Sequence, residues 1–171
     1  PGKGGIKLTG QMGDVMKEVL QVDYTSIKKH PAIAFLGKRR AGKTSVSKYV
    51  LSQIPSLTGR MLVISGSVDT TQEWEECVDP LYIIGKDMEH IQSVLDYQNS
   101  KKRLYPPGQL PEKYWLTIVC DDCGKDKSFM HSSIMKEILS NGRHLGISVI
   151  LLCQYLNQMH SENRDQLDYV G

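Results

Sequence analysis

Ala32-Ile33-Ala34-Phe35-Leu36-Gly37-Lys38-Arg39-Arg40-Ala41-Gly42-Lys43-Thr44-Ser45 decides the fold. The apolar run Ala32 to Leu36, preceded by Pro31, reads as a buried strand, and the loop after it opens a helix predicted over Lys43 to Gln53. Gly37 and Gly42 bracket a loop whose backbone N–H groups must turn inward toward an anion, a geometry that side chains on those residues would obstruct. Lys43 supplies an ammonium for the β and γ phosphates of a nucleotide, Thr44 a hydroxyl for Mg2+, and the helix carrying Ser45 its positive N-terminal end. Lys38, Arg39, Arg40 and Ala41 fill the variable positions; the three basic residues are expected to face solvent and add positive potential near phosphate. Gly37 to Ser45 is therefore the expected ATP site.

Outward from this loop, short apolar runs alternate with longer polar or amphipathic segments. Met61 to Ser65, Leu81 to Ile84, Leu116 to Cys120 and Ile147 to Cys153 read as further strands, and Asp87 to Arg103 and Phe129 to Asn141 as helices. That alternation predicts an α/β three-layer sandwich with a mostly parallel central sheet. Gly142 is the expected stop of the helix before Arg143. Residues 31–171 form the expected domain and 1–30 an extension of uncertain origin; Asp168 to Gly171 resembles the opening of another strand, so the domain is expected to be truncated there.

The bulk numbers bound the function. A chain of 171 residues, 40% hydrophobic and 23% charged, suits one globular domain. A net charge of +2 with pI ≈ 8.4 is not strongly basic, so any nucleic-acid contact must come from a local patch. Lys101-Lys102-Arg103 is the one run of like charge beyond the loop, the usual sign of a solvated helix end. No apolar run reaches the roughly 20 residues that cross a bilayer, and four cysteines without framework spacing fit a reducing compartment. A soluble intracellular protein is expected.

The run Trp115 to Cys120 ends in Asp121-Asp122, two carboxylates at the carboxyl end of a strand, where ligands bind in open α/β sheets. Asp121 is the expected metal carboxylate, usually acting through a water, and Asp122 the acid that polarises the attacking water. Consecutive strand residues point to opposite faces, so both reach one site only through a local distortion. Cys120 and Cys123 have CxxC spacing, but no second pair completes a zinc set. Gln154, ending Ile147 to Cys153, is a candidate γ-phosphate sensor; otherwise it is a polar strand end in water. Arg143 and Arg164 lie in flanking loops, where each either enters a neighbouring subunit's site or salt-bridges on the surface.

Gly37 to Thr44, Ile118-Val119-Cys120-Asp121-Asp122, Asn141-Gly142-Arg143-His144 and Ser148 to Gln158 together resemble the genome-packaging ATPases of large nucleocytoplasmic DNA viruses, within the FtsK–HerA superfamily of P-loop motors. The resemblance runs from about Pro31 to Gly171. It implies an ASCE/RecA-like fold, ATP hydrolysis with Mg2+ coupled to moving duplex DNA into a capsid, a homo-oligomeric ring, possible contacts with capsid or portal proteins, and a viral protein of host cytoplasm or virion. It carries over Lys43, Thr44, Asp121, Asp122 and Gln154 in the roles above, with Arg143 and Arg164 as candidate fingers. Many superfamily members have Glu where Asp122 stands, and the shorter arm must draw water about a methylene closer. Leu8 to Glu18 resembles instead a short segment of Lon proteases, with no Ser-Lys pair in context downstream. A nucleoside kinase and a nucleotide-controlled switch share the loop; the first would transfer phosphate to a nucleoside, the second would bind without turnover.

Overall fold

A computed structural model describes residues 5–8, 17–20 and 23–171. Two short strands, β1 (Gly5–Leu8) and β2 (Lys17–Leu20), pair antiparallel. Of the Lon-like stretch, residues 9–16 lie outside the described residues. The remaining six strands are β3 (Ala32–Leu36), β4 (Met61–Ser65), β5 (Ile83–Ile84), β6 (Leu116–Asp121), β7 (Ile147–Cys153) and β8 (Tyr169–Val170). They form one parallel sheet in the order β5-β4-β6-β7-β3-β8.

Side-chain alternation along these strands builds two cores at once. Ala32, Ala34, Leu62, Ile64, Ile118, Cys120, Val149 and Leu151 face one side. There they meet α3 (Met88–Lys102), α4 (Lys127–Met130) and α5 (Ser133–Asn141) through Ile91, Leu95, Met130, Ile134, Met135 and Ile138. Ile33, Val63, Val119, Ile150 and Leu152 face the other side, against Leu51 of α1 (Lys43–Gln53) and Trp74 of α2 (Val68–Glu75). The three-layer α/β sandwich follows from a period of two in the strands, with a fourth-strand register that sets Ser65 of β4 opposite Asp121 of β6.

Several boundaries differ from the sequence reading. The expected strand Leu81 to Ile84 begins as a 3-10 turn, Pro80–Tyr82, because Asp79 caps the Leu81 N–H and Pro80 starts the turn, leaving only Ile83–Ile84 paired. Phe129 to Asn141 is two helices, since Ser132 caps a new helix by accepting from the Met135 N–H. Gly142 does close α5 as its C-cap, but at φ −50° rather than in the left-handed region; the chain runs on through the 3-10 turn Gly142–Leu145, and the left-handed residue is Gly146, φ +71°. Among the described residues no helix is long and apolar enough to cross a membrane.

The edge where the strands begin is tied together by Asp168. Its carboxylate accepts from the backbone N–H of Ala32 at 2.9 Å, from Lys28 Nζ at 2.9 Å and from Arg143 Nη2 at 2.8 and 2.7 Å. Burial alone would raise its pKa, but these donors outweigh burial and hold it below the ordinary carboxylate value. Its stabilising contribution is therefore complete above the unfolded value of about 3.9 and is lost as pH falls through the lower folded value. His30, pushed down to about 4 mainly by burial and further by Lys29 and Arg143, loses its contribution in a separate window as pH falls from about 6.5 to 4. Asp168→Asn should lower unfolding free energy at pH 7 by about 1–3 kcal/mol and flatten the acid limb below pH 4, as read by thermal melts across pH.

Candidate functional site

The carboxyl ends of β3, β6 and β7 open into a cleft of about 800 Å³, large enough for a nucleoside triphosphate. Its walls include Lys43, Thr44, Ser45, Asp121, Asp122 and Gln154. Gly42 has φ +82° and heads α1, so the loop turns onto the helix through a conformation that glycine adopts cheaply. A Cβ there would meet nothing within 4 Å; it is the backbone angle, rather than crowding by neighbours, that asks for glycine. At Gly37 space decides, since a Cβ would lie 3.3 Å from that of Ala41. Arg40 takes a left-handed angle too, φ +59°, with its side chain exposed like those of Lys38 and Arg39.

Lys43 reaches back over the loop. Its Nζ donates to the carbonyls of Gly37 at 2.8 Å and Lys38 at 2.9 Å, which hold the ammonium at the loop. One residue on, Thr44 Oγ1 donates to Asp121 Oδ2 at 2.9 Å. Trp74 Nε1–H donates to the same oxygen at 3.0 Å. Asp121 is 5% exposed, and burial raises its pKa against the lowering effect of the Trp74 and Thr44 hydrogen bonds. A carboxylate so buried is stabilised by a nearby cation. Thr44 and Asp121 bring a hydroxyl and a carboxylate oxygen together, the hard oxygen donors that Mg2+ takes, so the two residues fit that ion.

Asp121 shares the α1 and α2 face of the sheet with Val119, as alternation requires; extended backbone would send Asp122 to the opposite face. Instead Asp122 has φ +53° and lines the same cleft, with Oδ2 4.0 Å from Arg39 Nη2. Asp is among the few residues that tolerate this angle. The neighbouring strand makes room: Gly66 donates its N–H to the Asp121 carbonyl at 2.8 Å, and a Cβ on Gly66 would sit 1.9 Å from the Asp122 carbonyl oxygen. Sequence reasoning missed Gly66, though Ser65-Gly66-Ser67 at the end of a strand is a visible signal. It also missed Trp74, the lone aromatic of Gln72-Glu73-Trp74-Glu75.

Gln154 reaches the cleft, and its backbone N–H donates to Gln158 Oε1 at 2.9 Å, as does that of Tyr155 at 3.3 Å. Gln158 lies so close to Gly124 that a Cβ there would be 2.5 Å from Oε1, which couples the loop after β7 to the loop after β6. The two candidate arginines do not join the cleft of their own chain. Arg143 lies at the opposite edge of the sheet, engaged with Asp168, and Arg164, ending α6 (Ser161–Arg164), is exposed with no ion-pair partner among the described residues. Cys120, Cys123 and Cys153 are buried free thiols. Burial pushes Cys120 well up, Cys123 up to about 12 and Cys153 up to about 11, so all three stay protonated at neutral pH.

Against known proteins, the sequence matches the family described as Poxvirus A32 protein over residues 19–171, a span that begins past the Lon-like stretch. It is 27% identical over 139 residues to the uncharacterized protein 075L of Invertebrate iridescent virus 6, covering 81% of this chain and 52% of that protein. It is 24% identical over 138 residues to the uncharacterized protein 015R of Frog virus 3 (isolate Goorha), covering 81% and 42%. The chain thus spans about half the length of these relatives. Among solved structures, the genome packaging NTPase B204 from Sulfolobus turreted icosahedral virus 2 in complex with ATP-gammaS aligns with TM-score 0.55 and 14% identity over 83% of this chain and 73% of that one. EssC (ATPases 2 and 3) from Geobacillus thermodenitrificans aligns with TM-score 0.59 and 11% identity over 91% and 34%. At such identities both show the P-loop NTPase fold.

The clash at Gly66 can be measured directly. Gly66→Ala should destabilise by about 1–3 kcal/mol or more in chemical denaturation, whereas Gly59→Ala, whose Cβ meets nothing within 4 Å, should stay near wild type.

Proposed function

We propose, from the fact that the chain belongs to the Poxvirus A32 protein family, that it is an ATPase whose hydrolysis drives packaging of viral duplex DNA. The observation that carries this reading is the Thr44 Oγ1 to Asp121 Oδ2 contact of 2.9 Å, which brings the loop hydroxyl and the strand carboxylate to one point, with Lys43 and Asp122 beside it. The name of B204, a genome packaging NTPase in complex with ATP-gammaS, supports the same direction.

In this reading Gly37 to Ser45 wrap the triphosphate, and Lys43 trades its contacts with the Gly37 and Lys38 carbonyls for phosphate oxygens. Thr44 and Asp121 would hold Mg2+, which when bound would supply charge neutralisation at the phosphates. Asp122 accepts a proton from the water that attacks the γ-phosphorus; the bond to the bridging oxygen breaks, and ADP and phosphate leave. Gln154 orients that water through its amide. Arg143, bound at the far edge of its own chain, acts only on a neighbour's site, which makes a homo-oligomeric ring the proposed assembly; Arg164 is the alternative finger. Capsid or portal proteins are the proposed partners beyond DNA.

Lys43→Ala should abolish nucleotide binding, while Asp122→Asn should keep binding and lower kcat by about 10²–10⁴-fold. Hydrolysis should rise with duplex DNA. A rate indifferent to DNA would count against translocation, normal turnover by Asp122→Asn would sink its assigned role, and phosphate transfer to a nucleoside would point to a kinase.

A further inference from the structure

Trp74 stands out among the residues around the cleft because it touches the site without being able to ligate metal, its one polar group already engaged with Asp121. Its side chain is 0% exposed and packs among Ile33, Leu51, Val63, Val119, Ile150 and Leu152, yet it sits in the polar stretch Gln72-Glu73-Trp74-Glu75-Glu76. An indole N–H is a donor only and can ligate no cation. What it can do is fix a carboxylate. Asp121 Oδ2 accepts from Trp74 Nε1–H at 3.0 Å and from Thr44 Oγ1 at 2.9 Å, donors that arrive from α2 and α1 respectively.

These two bonds have different fates when a cation arrives. Thr44 is a candidate ligand whose oxygen would turn a lone pair toward a cation, so the geometry of its bond to Asp121 would change with metal occupancy. The indole, clamped in the core, stays. It then remains as the side-chain donor that prevents the carboxylate from rotating about its terminal torsion, which is broad and soft for Asp. Outer partners of this kind tune metal affinity by about 10–100-fold in other proteins.

We infer that Trp74 is a positioning residue: its indole N–H orients Asp121 for Mg2+, so that the metal dependence of nucleotide binding, and not nucleotide affinity as such, depends on that one hydrogen bond. The inference rests on Asp121 serving the metal, as proposed above.

Trp74→Phe keeps an aromatic ring in the core and removes the donor. Binding of ATPγS should be followed by calorimetry while Mg2+ is titrated, and again in EDTA. The half-saturating Mg2+ concentration should rise about 10-fold or more, with affinity in EDTA unchanged. A folded Trp74→Phe protein with wild-type Mg2+ dependence, or one that loses ATPγS affinity equally with and without Mg2+, overturns the inference, the second outcome marking a packing role alone. If the variant does not melt cooperatively, the wild-type protein labelled with 15N at tryptophan decides, with Trp115→Phe assigning the resonances. The Trp74 Nε1–H signal should shift when Mg2+ is added to the ATPγS complex, and an unmoved signal overturns the inference. Wild-type protein that binds ATPγS with no dependence on Mg2+ would instead remove the metal role of Asp121.

Discussion

A β-strand sends adjacent side chains to opposite faces, so two consecutive carboxylates cannot share one cleft while the chain stays extended. The arrangement of this site depends on how that constraint is broken between Asp121 and Asp122. Asp121 obeys the alternation and enters the α1 and α2 side of the sheet; Asp122 leaves it through a left-handed angle of +53°. The turn is sterically possible because the register places Ser65 beside Asp121 and hence Gly66 beside the bend, where any side chain would collide with the Asp122 carbonyl. A residue without chemistry of its own thus decides where the chemistry stands.

The two ends of the parallel sheet are built on different principles. At the carboxyl ends, the groups converge on a cleft and remain partly open: Lys43 holds only backbone carbonyls, and Asp122 and Arg39 approach no closer than 4.0 Å. At the opposite edge the charges are consumed in structure, Asp168 being satisfied by Lys28, Arg143 and the Ala32 N–H that opens β3. A buried carboxylate with several donors is a strong local tie. Arg143 thereby has a partner inside its own chain, and any role toward a neighbour requires that this pair be kept as a scaffold or exchanged.

Much of this was legible in the residues. The strands Ala32–Leu36, Met61–Ser65 and Ile147–Cys153 are nearly all apolar, with only Ser65 and Ser148 polar, because both faces are covered, and such runs announce themselves. The loop and the acid pair were legible as a glycine-bracketed turn and as carboxylates ending a strand, and the fold brings both to one cleft. What escaped was decided by other means. The helix Val68–Glu75 is mostly polar and short, held by the Ser67 cap and by one buried tryptophan, so it has no apolar periodicity to read. Helix α5 begins where it does through a serine cap that interrupts an otherwise helical run. Gly142 and Gly146 are four residues apart, and only backbone geometry tells which one carries the left-handed turn. Gly66 and Trp74 act on Asp121 and Asp122 across strands, a relation that exists only after the sheet has assembled.

The contacts of Lys43 have a further thermodynamic meaning. With its ammonium resting on the Gly37 and Lys38 carbonyls, the loop is tied together by its own positive charge. In the proposed function an anion would exchange these neutral acceptors for charged ones on a loop already shaped, so less of the interaction energy would be lost to conformational entropy.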